Sequence, residues 1–387
     1  MSSEPVGTPR KRPKDRKQQI VLQARDMFIE LGYPNVTMNA LAERVGITAG
    51  GLYRHFSNKS DLLDAVLRES FACFEQGITA TALGPAIDQA IDVISSHPQV
   101  ADLWDREVRY AEPEERRKHR GLMLAWAAAF RSVLRAHRDD LDDGNEELLV
   151  WAMLSTLNCL GTSTIHAKLT NRRTAVRAAM HAIASAPLVP TGEAQHLPHT
   201  GRLPVSRRER LLLAAATRFA SRGYQETSMT DIGAAADVTG PTLYSYFPSK
   251  ADLLRAVYMR GSHYLWMDLD AAFARASTPD EALRLVIGSY VEHSRAWGSL
   301  EIGRSGEREV EADILGIQRE YAAEWTALVQ EISPGLDPSA ARLHVQICLK
   351  MINGLLRTPH IAQYTSISAN LSAMAYAILA APATGPA

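Results

Sequence analysis

Cysteine is scarce in this chain, with three among 387 residues. Cys73, Cys159 and Cys348 lie far apart in apolar, helix-patterned contexts, which excludes a disulfide framework and a paired-cysteine metal site. Reduced, buried thiols of a cytoplasmic protein fit better. Long hydrophobic runs are missing as well: no stretch approaches the roughly 18 to 20 apolar residues that a bilayer span requires. The polar, basic start, Met1 to Lys17, lacks the apolar centre of a secretory signal. A soluble protein without a membrane partner is expected. Strand-type alternation of useful length is also absent, so the class is all-α. There is no nucleotide-binding glycine loop, no zincin helix and no serine elbow. No enzyme and no cofactor are expected. The pair His196-Leu-Pro-His199 reads either as turn chemistry or as half of a zinc site, and no further ligands flank it.

What is present is a duplication. Arg16 to Leu67 realigns without a gap on Arg207 to Tyr258 at an offset of 191, with 17 of 52 positions identical. A period of that length means two copies of a multi-element module, not a solenoid. The formal net charge of −1 conceals an uneven distribution. Residues 1–70 carry 11 Lys/Arg against 8 Asp/Glu, and residues 200–261 carry 9 against 5, so the remainder is acidic. Pro187 to Ser206 holds four prolines and two glycines in twenty residues, the composition of a linker. Fully extended it would reach about 65 Å, enough to let the second copy dock in almost any orientation.

Punctuation places the helices of each module. Ile20, Ala24, Met27, Phe28 and Leu31 fall at helical spacing, as do Leu211, Ala215 and Phe219, and Gly32 or Gly223 ends helix 1. Thr37 and Ser228 cap a short helix 2, Met38 to Val45 and Met229 to Ala236. A tight turn follows at Gly46 or Asp237; then Thr48 or Thr239 caps helix 3, which ends near Phe56 or Phe247. Helix 4 starts at Lys59 or Lys250. Two short helices joined by a tight turn and braced by a longer one form a helix-turn-helix, whose second short helix fits a major groove about 12 Å wide.

Leu52 and Phe56, or Leu243 and Phe247, then face the module core. Thr48, Ala49, Gly50, Tyr53, Arg54 and His55 are the base-reading set of copy one. Thr239, Gly240, Pro241, Thr242, Tyr244, Ser245 and Tyr246 are that of copy two. Tyr53, Tyr244, Lys59 and Lys250 suit phosphate oxygens, which fix register without reading sequence. Thr37 and Ser228, at the starts of helix 2, join the contact set. The arm Arg10, Lys11, Arg12, Lys14, Arg16, Lys17 suits a minor groove, Arg10, Arg12, Lys14 and Lys17 above all, and copy two offers only Arg207, Arg208 and Arg210 in its place. Arg54 is suited to bidentate contact with guanine, whereas Ser245 at the equivalent position is not. Two unlike half-sites on double-stranded DNA, about one helical turn apart, are expected. Two other readings stay open: an enzyme, and an architectural protein that binds DNA with little sequence preference, against which the large acidic helical portions argue.

The run Thr-Met-Asn-Ala-Leu-Ala-Glu-Arg-Val-Gly-Ile-Thr-Ala-Gly-Gly-Leu-Tyr-Arg-His-Phe-Ser-Asn-Lys-Ser-Asp-Leu-Leu, residues 37 to 63, resembles the signature of the TetR family of ligand-responsive repressors. It occurs twice and covers roughly 50 residues of each half. The second copy departs from the pattern at Gly233, Asp237 and Pro241. Two copies in one chain resemble the tandem type, and the basic arm together with Leu103-Trp-Asp-Arg-Glu-Val-Arg-Tyr110 is similar to tandem mycobacterial regulators of mce lipid-import operons. The resemblance implies six segments: an arm (1–15), a helix-turn-helix domain (16–70), a helical ligand-binding and pairing domain (71–186), a linker (187–206), a second helix-turn-helix domain (207–261) and a second helical domain (262–387).

It further implies a bacterial, nucleoid-associated regulator of transcription, released from operator DNA by a small inducer of apolar, acyl or sterol type. The last helices of each half, 146–166 with 171–185 and 338–360 with 366–381, would form an intramolecular four-helix bundle. The chain would then be a pseudo-dimer, alone or as two chains on one operator. Trp104, Arg109, Tyr110, Trp126, Trp151, Met153, Trp297, Trp325 and Met351 are candidates to line an inducer pocket, the alternative being ordinary core.

Overall fold

The structure is a computed structural model that describes residues 13–162, 165–192, 203–297 and 308–380. It is all-α, with no strand among the described residues. The chain divides into two compact units, 1–76 with 102–124, and 77–101 with 125–387. That division does not follow the linker, because the later helices of the first half belong with the whole second half.

The first unit opens with α1 (Pro13–Leu31), α2 (Met38–Val45), α3 (Ala49–Tyr53) and α4 (Lys59–Phe71). Helix α1 begins two residues before the proposed end of the arm, so Lys14 and Lys17 belong to its first turns. Its buried stripe Ile20, Ala24, Met27 and Phe28 follows the 3.6-residue period, and Leu41, Leu52, Leu62, Leu63 and Val66 are fully buried on the other helices. Thr37 Oγ1 accepts from Ala40 N at 3.2 Å, Thr48 Oγ1 from Gly51 N at 3.1 Å, and Asn58 Oδ1 from Asp61 N at 2.8 Å. These caps satisfy donors that a helix start leaves open and fix where each helix begins. Gly46 ends α2 in the left-handed region at φ 73°. The same unit contains a wide turn at Leu103–Glu107, a short turn at Val108–Tyr110 and residues 113–124 of a long helix.

The second unit takes α5 (Leu83–Ser96), with α6 (Gln99–Asp102) at its margin, and the later part of α7 (Pro113–His137). There follow α8 (Asp143–Gly161), α9 (Leu169–Ala184), α10 (Arg207–Arg222), α11 (Met229–Ala236), α12 (Gly240–Tyr246) and α13 (Lys250–Arg275). The chain continues with α14 (Pro279–Trp297), α15 (Arg308–Ile332), α16 (Pro338–Leu356), α17 (Pro359–Ala362) and α18 (Ile367–Ala380). Helices α8 and α9 pack on α16 and α18, the closest pair being α8 with α16. Burial explains the choice of partners: Leu148, Leu149, Ala152, Met153, Ile347, Cys348, Met351 and Leu371 are all fully buried. Each such large side chain contributes about 1.5 to 3 kcal/mol relative to exposure. Gly161 lets α8 lie directly against the carbonyl of Pro98, where an added Cβ would stand 1.9 Å from the oxygen.

The linker departs from the free tether expected of its composition. Its first residues are built into the second unit: Val189 and Thr191 hydrogen-bond to Asn370 and Asp142. Prolines and glycines indicate that a segment will not be helical, but say nothing about whether it docks.

Candidate nucleic-acid interface

Each module shows the same division between an apolar inner face and a polar outer one. Leu52 and Phe56 are buried on one side of α3, and Leu243 and Phe247 on one side of α12. Thr48, Gly50, Tyr53 and Arg54 are exposed on the first module, with Ala49 and His55 half-buried. On the second, Thr239, Gly240, Pro241, Tyr244, Ser245 and Tyr246 are exposed and Thr242 is half-buried. Exposure reaches 51% for Tyr53 and 54% for Tyr244, so two large aromatics face outward at equivalent positions. Thr37, Ser228, Lys17, Arg207 and Arg208 are exposed as well. Arg10 and Arg12 lie outside the described residues, as do the Lys14 side chain, His196 and His199.

The second module tolerates its three departures for separate reasons. Gly233 sits where a Cβ would come 2.9 Å from the carbonyl oxygen of Val238, so glycine permits that contact. Asp237 adopts φ 53°, the left-handed conformation that Gly46 supplies in the first module. Asp is among the few non-glycine residues that accept this region at moderate cost. Pro241 occupies the first turn of α12, where its missing N–H would have had no helical partner.

Lys59 and Lys250 hydrogen-bond within their own modules. Both were expected at phosphates, yet both turn inward. Lys59 Nζ donates to the carbonyls of Tyr33 at 2.8 Å, Val36 at 2.9 Å and Pro34 at 3.3 Å, with the ammonium 4.3 Å from the Tyr33 ring centre. Lys250 Nζ donates to the carbonyls of Tyr224 and Thr227, both at 3.0 Å, and lies 4.2 Å from the Tyr224 ring centre. An ammonium has three donors and no acceptor. With Lys59's donors engaged by the loop between α1 and α2, the side chain pins that loop to the start of α4. Burial holds the Lys59 ammonium below its ordinary pKa.

Around Tyr33 the first module gains a second layer that the sequence did not signal. Glu107 is buried, its Oε2 accepts from the Tyr33 backbone N–H at 3.0 Å, and burial raises its carboxyl above the usual range against the pull of that bond. Arg106 donates to the carbonyl of Ile29 at 3.3 Å and pairs with Asp102 at 3.2 Å. The Tyr110 ring stacks on Tyr33 at 5.3 Å, and the Arg109 guanidinium lies 4.9 Å from the Tyr110 ring centre. Trp104 is tilted against Phe71 at 5.8 Å. Thus Trp104, Arg109 and Tyr110, read as pocket candidates, stand beside the helix-turn-helix.

The other pocket candidates separate by location. Met153 and Met351 are fully buried on α8 and α16, which pack against each other, so they belong to the core of that helix bundle. Trp151 on α8 makes an edge contact with His360 at 6.1 Å. Trp126 is fully buried. Trp325, also fully buried, meets Tyr290 at 5.5 Å and Tyr321 at 6.3 Å. The Trp297 side chain lies outside the described residues.

Comparison with known proteins agrees with the repeated module. Residues 20–66 and 211–257 each match the family model for bacterial regulatory proteins of the tetR family. An HTH-type transcriptional regulator of Staphylococcus aureus is 42% identical over 65 residues, which is 17% of this chain and 35% of that protein. The chain therefore spans about a third of the length of that relative. Among solved structures, a fatty acid degradation regulator, FadR, from Bacillus halodurans is 19% identical with a TM-score of 0.39, covering 46% of this chain and 97% of its own. A tetR-family regulatory protein from Rhodococcus RHA1 is 18% identical with a TM-score of 0.37, covering 43% and 95%. Two matches to one family model, each falling on one copy of the duplication, show that the chain carries the tetR-family segment in tandem.

Proposed function

We propose that this protein is a ligand-responsive transcriptional repressor that reads an asymmetric operator with two unlike helix-turn-helix modules. The observation that carries the reading is the pair of outward faces on a shared frame. Tyr53 and Arg54 in one copy stand where Tyr244 and Ser245 stand in the other, and all four are exposed. Arg54 is the guanine reader, while the Thr239 to Tyr246 face offers hydroxyls and rings. The arm with Arg10, Arg12 and Lys14, together with Lys17, Arg207 and Arg208, adds sequence-independent attraction to phosphates.

The packing of α8 and α9 on α16 and α18 supports an intramolecular pseudo-dimer, in which tethering replaces concentration-dependent association. One chain is then a complete reader, in the bacterial nucleoid. The segmentation into an arm, two DNA-binding domains, two helical domains and a linker follows from that reading. We extend it to an inducer of apolar, acyl or sterol type, in keeping with the aromatic interior around Trp325 and the full burial of Trp126. Such a ligand acts only by binding a DNA-incompatible arrangement better than the DNA-bound one. Protection mapping on DNA flanking the protein's own gene, with and without fatty acyl, sterol and CoA compounds, tests the proposal. Unequal protection of two half-sites, lifted by one compound class, is the expected result; a perfect palindrome protected equally on both halves overturns it.

A further inference from the structure

We infer that residues 186–192, with Asn145 and Asn370, form a clasp that makes the first half of the chain specific for its own second half. The inference rests on the intramolecular pairing proposed above. Asn145 stands in the first turn of α8 and Asn370 in the first turn of α18, and both are buried, at 4% and 1% exposure. Asn370 Nδ2 donates to Asn145 Oδ1 at 2.9 Å. The same Asn370 amide treats Val189 as a neighbouring strand would, accepting from its N–H at 2.9 Å and donating to its carbonyl at 3.0 Å. Asn145 Nδ2 donates to that carbonyl at 3.0 Å and to Asp142 Oδ2 at 3.1 Å. Asp142 also accepts from Thr191 N at 3.0 Å and Thr191 Oγ1 at 2.5 Å. Three chain segments, far apart in sequence, thus satisfy one another's polar groups.

Two glycines make the approach possible. A Cβ on Gly144 would stand 2.1 Å from Thr191 Oγ1, and one on Gly192 would stand 2.3 Å from Thr365 Oγ1. Gly192 thus lies closely against the second half, and the segment leading to it against the first. Only fourteen residues then remain between Gly192 and Arg207, the start of α10, which shortens the reach of a free 187–206 tether by about a third.

The arrangement is not reproduced by pairing like with like. In the first turn of α16 the third and fourth residues are Ala340 and Ala341, where α8 has Asn145 and Glu146. Two second halves brought together would therefore offer Asn370 no Asn145, and two first halves would offer Asn145 no Asn370. A buried amide without its partners is costly, while the apolar remainder of the bundle discriminates little between copies. The polar clasp is thus the element that can tell the correct partner from a similar one, as a single buried asparagine does in a coiled coil.

Exchange between full-length chains tests this. Two preparations with different affinity tags are mixed without DNA, and capture of one tag is assayed for the other. Wild-type chains should show background co-capture only. Asn370→Ala, which strips the Val189 N–H of its acceptor and the Val189 carbonyl of one of its two donors, should raise co-capture at least about tenfold while helicity is retained. Thr191→Val removes a single peripheral bond, should raise exchange less, and supplies the reading if Asn370→Ala does not fold. Asn145→Ala in the Asn370→Ala background should add little, because the two act as a unit. Free exchange by the wild type, or folded variants that exchange no more than wild type, overturns the inference. Operator binding is not the readout, so loss of DNA recognition and loss of the clasp are separable outcomes.

Discussion

In the first module the Lys59 ammonium lies 4.3 Å from the Tyr33 ring centre; in the second the Lys250 ammonium lies 4.2 Å from that of Tyr224. Phe28 and Phe219 add the same ring contact behind each tyrosine, at 5.4 Å in both copies. The outer faces differ where these inner ones agree. Arg54 is replaced by Ser245, His55 by Tyr246 and Ala49-Gly50 by Gly240-Pro241. Residues that hold the module together are under the same physical constraint in both copies, since each must pin one loop and fill one small core. Residues that face outward are bound only by what they touch, and a shared scaffold lets them diverge. The comparison also explains why the module survives Gly233, Asp237 and Pro241. Each change falls at a backbone position where its own geometry is acceptable.

The largest test of this division is the lysine brace. Lys59→Met or Lys250→Met keeps the apolar stem and removes charge-assisted bonds to carbonyls, at a cost of about 2 kcal/mol to the local stability of that module. Hydrogen exchange at the amides of α2 or α11 measures it. The salt dependence of operator binding should keep its slope, because both ammonium groups are engaged by loop carbonyls. A slope reduced by about one phosphate equivalent in either variant would return these lysines to the DNA-contacting set.

Next comes the outer face. Arg54→Ala should weaken operator binding by about 1 to 3 kcal/mol and relax base preference in one half-site only. Ser245→Ala, at the matching position, should change affinity by much less. Equal losses from the two variants, measured by mobility shift on the same operator, would mean that the modules read DNA alike and that the divergence is neutral.

Much of this architecture was legible from the chain. The helices of both modules follow from caps and apolar spacing, and the all-α class from the lack of alternation. Other features were hidden for identifiable reasons. A lysine at the start of a helix reads as a phosphate ligand unless the loop carbonyls facing it are known, and the three carbonyls that receive Lys59 come from a turn 23 to 26 residues earlier. Glu107 and Arg106 sit in a wide turn inside what reads as continuous helix. Met153, Trp151 and Met351 have the letters of a pocket, and composition does not say which helices they pack between. Asn145 and Asn370 carry no motif at all, and their role depends on contact between residues 225 positions apart.

A smaller effect is expected at the turn between the short helices. Asp237 holds φ 53° and Gly46 holds φ 73°, so the first module uses the residue suited to the left-handed region and the second does not. Asp237→Gly should stabilise the second module by up to about 1 kcal/mol, and Gly46→Asp should destabilise the first by a similar amount. The Arg210 pair with Asp237 does not reverse the sign, because at 3.8 Å with an almost fully exposed carboxylate it contributes little. If both substitutions destabilise, the turn in the second module has adapted to aspartate beyond its backbone angle.

The last difference is one of pH. In the second module Ser228 and Asp231 cap α11 reciprocally: Asp231 N donates to Ser228 Oγ at 3.1 Å and Ser228 N donates to Asp231 Oδ2 at 3.1 Å. The first module has Thr37 and Ala40 at these positions, so only half of the box exists there. The hydrogen bonds from the Ser228 hydroxyl and N–H hold the Asp231 carboxyl below its ordinary value of 3.8. A depressed carboxyl contributes stability that is present above the unfolded pKa and lost as pH falls through the folded one. Acidification below about pH 4 should therefore loosen the start of α11 while leaving the start of α2 unaffected by this term. Amide exchange at Ser228, compared with Thr37 across that range and corrected for intrinsic rates, distinguishes a cap that titrates from one that cannot. A parallel response of both amides would show that the reciprocal bond contributes nothing of its own, and that the two modules share their caps as fully as they share their lysine brace.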